Sequence, residues 1–250
     1  MWQRWNDYGI GLLLEGAPPG SRSLSRGELL QAEEVFIEVE KMGRWDGPLN
    51  LARVYVEEGR LDEAVDALKR AADVNDPKKP LWTMAWLNGR VNLQQGHILE
   101  AEKDFRSVVE NTCVSDELRK KGFDFSLDIE VIDLLGLTVF EKAKKETQPE
   151  VKQALLQEAV DIYQRTLKID SEDVDAHYNL KLLYGQLGNR EKSQEHHALH
   201  LKYKPDDNVG DAIRNGRKNY PWADAASNAL VIYGLQRAGA PGLPSGPVQQ

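Results

Sequence analysis

Cysteine is almost missing from this 250-residue sequence: Cys113 stands alone. No intramolecular disulfide can form, and there is no C-x-x-C metal motif and no C-x-x-C-H for haem attachment. A lone cysteine of this kind reads as a small apolar residue at a helix end. Long apolar runs are missing as well. The longest fall well short of the ~20 residues that a membrane helix needs. The opening Met1-Trp2-Gln3-Arg4-Trp5 lacks the basic-then-apolar order of a signal peptide. A soluble chain without membrane insertion is the expectation. Basic charge is also short, with 32 Lys and Arg against 40 Asp and Glu, a net charge of -8. Phosphate backbones and anionic membranes require the opposite balance, so nucleic acid is excluded as a partner class. Gly-rich phosphate loops, G-x-S-x-G and H-E-x-x-H are all absent. The acidic stretches Asp170-Ser171-Glu172-Asp173 and Asp206-Asp207 lack the glycine and ligand spacing of a calcium loop and read as helix starts. The expectation is therefore a non-enzyme with no catalytic residues and no cofactor.

What is present is a period. Leu51-Ala52, Tyr55, Gly59, Leu61, Ala64, Leu68 and Ala71 are followed by Pro77. Gly89, Asn92, Gly96, Ile98, Ala101, Phe105 and Val108 repeat those offsets 37 residues on. A third copy runs Leu180, Lys181, Tyr184, Gly188, Arg190, Ser193, His197, His200 and Pro205. Small residues such as Ala52, Gly89, Ala64 and Ala101 let two helices approach, and Tyr55, Leu68 and Phe105 fill the space between them. Gly59, Gly96 and Gly188 fall where a helix must end in a left-handed residue. Asp62-Glu63 then sits at the next helix start, where negative charge suits the dipole. Apolar residues three and four apart give each helix one buried face.

This pattern resembles the tetratricopeptide repeat, a helix-turn-helix unit of 34 residues, most clearly from Pro48 to Pro77. The resemblance implies an all-α fold: a right-handed superhelical solenoid of helix pairs. Five units are expected, at about residues 2–42, 45–77, 82–113, 129–171 and 174–205. The first and fourth are stretched by about eleven residues. In the first, the breaker-rich Ala17-Pro18-Pro19-Gly20-Ser21-Arg22-Ser23 separates the helices. The fourth pairs 129–145 with 151–169. The fifth departs from the pattern at Lys181, His197 and His200. Residues 114–128 form an irregular connection, 206–238 a capping segment and 239–250 a disordered tail rich in Gly and Pro.

In such a stack the first helix of each pair lines the concave face. Spacing places Asn6, Asn50, Arg53, Trp86, Arg90 and Asn179 there, as the expected partner-binding groove. Arg53 and Arg90 each follow the small packing residue of their own unit. Two guanidinium groups in a partly dry groove suit the carboxylates of an acidic protein or peptide segment. The asparagines suit its backbone. Relatives of this repeat bind acidic peptide ends through Asn and basic residues on this face, although their usual lysines are missing here. Alternatively the arginines pair with Glu57, Glu58 or Asp46 inside the scaffold. Trp82 and Trp86, one turn apart, fit the core better than a recognition surface. The tail Asn228 to Arg237 reads either as a cap over the final helix or as a segment that docks in the groove or on a partner.

A rival reading from another class uses His196, His197 and His200. His196 and His200 share a helix face, as metal-binding pairs do, whereas His197 and His200 fall on packing positions, and a closed site needs further ligands. No metal is expected. Finally, Arg4 to Leu13, Tyr203 to Asn208 and Asn228 to Arg237 are similar to the C-terminal repeat region behind the haem domains of some bacterial multihaem c-type cytochromes. That likeness implies a periplasmic or exported setting and a docking role beside a multihaem cytochrome or respiratory assembly. The cytoplasm is the alternative setting.

Overall fold

The computed structural model describes residues 1–15 and 26–204. Within them the chain forms α1 (Trp2–Glu15), α2 (Arg26–Lys41), α3 (Asp46–Glu57), α4 (Leu61–Asp73), α5 (Leu81–Gln95), α6 (Ile98–Val109), α7 (Asp116–Lys120), α8 (Ile129–Lys145), α9 (Pro149–Ile169), α10 (Val174–Gln186) and α11 (Arg190–Tyr203). No strand occurs among the described residues. The expected cap over 206–238, the tail over 239–250 and the breaker-rich loop lie outside the described residues.

The turns explain the helix pairs. Gly96 follows α5 with φ of 81°, a left-handed conformation that glycine adopts without steric cost. Its N–H donates to the Leu93 carbonyl at 3.1 Å, and the N–H of His97 donates to the Asn92 carbonyl at 2.8 Å. This closes the helix end in the Schellman manner. Gly59 and Gly188 repeat the conformation, with φ of 73° and 77°. Gly96→Ala should therefore lower stability by about 1 kcal/mol in urea unfolding followed by circular dichroism. Gly11→Ala, with nothing within 4 Å of the added methyl, should not lower it.

Close approach between paired helices is set by a second group of residues. A Cβ on Gly89 would lie 2.6 Å from the Phe105 ring, and one on Gly136 would lie 2.8 Å from the Tyr163 ring. Gly9 stands in the same relation to Phe36, at 2.6 Å. Each aromatic ring is fully buried against the space its glycine leaves. The stretched units keep this pairing even though their partners are farther apart in sequence.

Successive pairs then stack. The first helices α1, α3, α5, α8 and α10 touch one another in order, and α2, α4, α6 and α9 each pack against the first helix of the next pair. The second helices of successive pairs meet marginally at most. An array packed more closely along its first helices curves toward them. The apolar core runs without a break from Ala101 in α6 to Tyr184 in α10.

The irregular stretch after α6 is tied down rather than loose. Asn111 takes a left-handed φ of 55°. Its side-chain oxygen accepts from the Phe125 N–H at 2.9 Å, and its NH2 donates to Asp124 at 2.9 Å. Arg165 of α9 donates to the Ser126 carbonyl. Asp128 then caps α8 by accepting from the Val131 N–H. Phe125 is thereby carried back to the start of α5, where it stacks on Trp82 with ring centroids 4.4 Å apart.

Candidate partner-binding groove

Three of the six expected groove residues come together. Arg53 projects from α3, and Trp86 and Arg90 from α5, one turn apart. The Arg90 guanidinium lies 5.2 Å from the centre of the Trp86 ring and that of Arg53 lies 5.7 Å from it. Both distances are within cation–π range. The two arginines differ in one respect. Arg90 pairs with Glu57 at 3.0 Å, which is the scaffold role weighed for both of them. Arg53 makes no ion pair among the described residues, and its Nε–H is buried without a hydrogen-bond partner. Burial, and then the charge of Arg90, pull its pKa below the usual guanidinium value.

Arg53 borders a cavity of about 190 Å³, walled by Trp82, Trp86 and Phe125 on the aromatic side and by Asp128 and Glu130 on the acidic side. Glu130, at the start of α8, also lines this space; its side chain is exposed on one side, and partial desolvation on the other pushes its carboxyl pKa up. The Trp86 indole N–H lies beside Glu130 without closing a hydrogen bond of good geometry. Trp82 and Trp86 are both half-buried. The expectation of a core position is corrected to the extent that both rings also line this cavity. Glu130 and Phe125 were not singled out from the sequence. Phe125 lies in a stretch with no periodicity, and its return to α5 depends on the Asn111 clip.

The other three expected contacts have hydrogen-bond partners within the scaffold. Asn50 donates to Asn6 at 2.8 Å, and both side chains are buried. They satisfy each other and tie α3 to α1. Asn179 is half-buried and donates back to the Asp175 carbonyl, at 2.9 Å.

Asp133 shares the spacing of the groove set. It stands three residues before Gly136, as Trp86 does before Gly89 and Asn6 before Gly9. Burial, together with Asp173 and Asp175, raises its pKa to about 7, and Thr166 donates to it at 2.6 Å.

The histidines do not assemble a metal centre. The Nε2 of His177 faces the Ser171 carbonyl at 3.1 Å, so it carries the proton there. Its Nδ1 must then accept from His196 Nδ1, 3.0 Å away. Tyr203 stacks on His177 and Tyr184 stacks on His196. His200 donates to the Val174 carbonyl at 3.2 Å. His197 is exposed, contrary to the packing position its spacing suggested, because α11 buries none of its residues. Among the described residues no group of three His, Cys, Asp or Glu side chains is placed to hold a metal ion. None of the described helices is long and apolar enough to cross a membrane. Cys113 is half-buried against the Ser107 carbonyl, and burial pushes its thiol pKa up, away from reactivity.

Comparison with known proteins agrees with this architecture. Residues 49–77 match the tetratricopeptide repeat family model. A search of curated proteins finds no match. Among solved structures, YrrB, described as a repeat protein of this type with an unusual peptide-binding site, superimposes with a TM-score of 0.52 at 18% identity, over 76% of this chain and 84% of its own. MamA from Desulfovibrio magneticus RS-1 gives 0.58 at 13% identity, over 82% and 96%. TTC0263 from Thermus thermophilus gives 0.51 at 18% identity, over 73% and 86%.

Proposed function

We propose that this chain, a tetratricopeptide repeat at residues 49–77 within a longer solenoid of the same fold, is an interaction scaffold that holds a segment of another protein along the face formed by its first helices. The observation that carries this reading is the Arg53 site. A half-buried arginine whose Nε–H is buried and unpartnered beside a cavity is costly to the free protein, and the cost is relieved when an acceptor enters. Buried polar groups are nearly always satisfied, and two of the three exceptions among the described residues, Arg53 Nε and Trp86 Nε1, border this one cavity. The solved neighbour described as having a peptide-binding site lends the same fold to the same kind of task.

The test is partner capture. An Arg53→Ala/Arg90→Ala double variant should keep its helical circular dichroism and lose tenfold or more in affinity for the natural partner, on the order of two lost charge-assisted contacts. Unchanged affinity removes the groove proposal. A narrower form of the reading makes the partner a multihaem cytochrome, as the terminal segments suggest. Eluates from an immobilised chain would then carry haem absorbance, and the double variant would lose it.

A further inference from the structure

We propose that the cavity between α3, α5 and α8 takes a neutral carboxamide side chain, glutamine or asparagine, from the bound segment, with its oxygen accepting from Arg53 and its NH2 donating to Glu130. The assignment rests on the groove reading above and gives it a chemical preference.

Size comes first. A space of about 190 Å³ admits one side chain and has no room for a folded loop. Charge comes second. Arg53 and Glu130 both line the space and feel each other's charge, yet they form no ion pair with each other and, among the described residues, none with any other group. The remaining nearby cation, Arg90, is neutralised by Glu57, and Asp128 is engaged in capping α8. An anionic occupant would meet Glu130 at close range, and a cationic one would meet Arg53. A purely apolar occupant would leave the buried Arg53 Nε–H without an acceptor and would offer nothing to the Glu130 carboxylate at the mouth of the cavity. A carboxamide avoids all three penalties. Only asparagine and glutamine carry an acceptor and a two-proton donor on one flat, neutral head. Shape comes third. Trp82, stacked on Phe125, and Trp86 offer flat walls to a planar group.

The experiment uses the full chain with 15N-labelled indoles, following the Trp86 Nε1–H resonance, which is assigned with Trp86→Phe. Four probes are titrated: the N-acetyl, C-methylamide derivatives of glutamine, glutamate, lysine and norleucine. All four carry the same backbone amides and differ in the head group alone. The glutamine probe should give a saturable shift and bind roughly five- to tenfold tighter than the other three, the worth of about one net hydrogen bond. Arg53→Met and Glu130→Met should each erase that preference without changing helicity. The wild-type ranking decides the matter even if either variant fails to fold. Equal shifts from all four probes would mean recognition of backbone alone. A preference for glutamate would mean a simple anion site, and no saturable shift would mean a cavity held by water. Each of these results overturns the assignment. Partner capture that depends on Arg53 and Arg90, combined with no glutamine preference, would keep the groove and discard only its proposed chemistry.

Discussion

Phe105→Ala should cost about 3–5 kcal/mol of stability. The Phe105 ring is fully buried and is seated against Gly89, so truncation leaves a void where the two helices of a pair are closest. The surroundings cannot collapse into it easily, because the α5 backbone already lies as near as a glycine permits. The loss also spreads. Phe105 belongs to the continuous apolar core that runs from α6 to α10, and a repeat array is stabilised by its neighbour interfaces as much as by each unit. Urea unfolding followed in parallel by circular dichroism and by tryptophan emission should therefore change from one transition to two. Trp82 and Trp86 would report the earlier one. A single transition displaced by less than about 1 kcal/mol would contradict this account of the packing.

Asp133→Asn should act in the other direction. In the folded protein Asp133 holds its proton up to about pH 7, because burial and then the charges of Asp173 and Asp175 oppose its ionisation, whereas the ordinary value is 3.8. Between those two values the folded state binds more protons than the unfolded chain. Stability contributed here is thus greatest at the acid end and declines as pH rises toward 7, leaving a charged, crowded carboxylate above it. Asparagine keeps an oxygen to accept from Thr166 and carries no charge. The variant should be more stable than the wild type by about 1–3 kcal/mol at pH 8 and close to it at pH 4, measured as the difference in urea midpoints at the two values. Equal stability at pH 8 would show that the carboxylate is solvated well enough to ionise without cost.

Much of the fold could be read from spacing because its determinants are local. Gly59, Gly96 and Gly188 each end a first helix within the unit they belong to, so single offsets reveal them. The glycine–aromatic contacts are non-local, and the stretched units keep them at a wider spacing: 27 residues separate Gly136 from Tyr163 and Gly9 from Phe36, against 16 between Gly89 and Phe105. The site was legible only in part. Spacing placed Arg53, Trp86 and Arg90 on one face, but it could not separate the arginine that finds Glu57 from the one that does not. That difference depends on how two helices lean. Asn6 and Asn50 were placed on the open face, and their mutual hydrogen bond is invisible to any pattern within one unit. His197 failed as a packing residue because the fifth unit exchanges apolar filling for imidazole contacts made by His177, His196 and His200. Periodicity carries no sign of that exchange.

The extra length of the fourth unit has an outcome for the profile of the molecule. At 1.5 Å per residue, the 21 residues of α9 run to about 31 Å, against about 18 Å for the 12 residues of α6. Since Gly136 and Tyr163 hold α8 and α9 in the common alignment, the surplus is displaced to one edge. There Lys144, Lys152, Gln153 and Leu156 line, together with Gln186 and Leu187 at the end of α10, an open recess of about 600 Å³. A uniform array would present a level rim at that edge. In this one the rim is broken by that recess, beside the longest of the described helices.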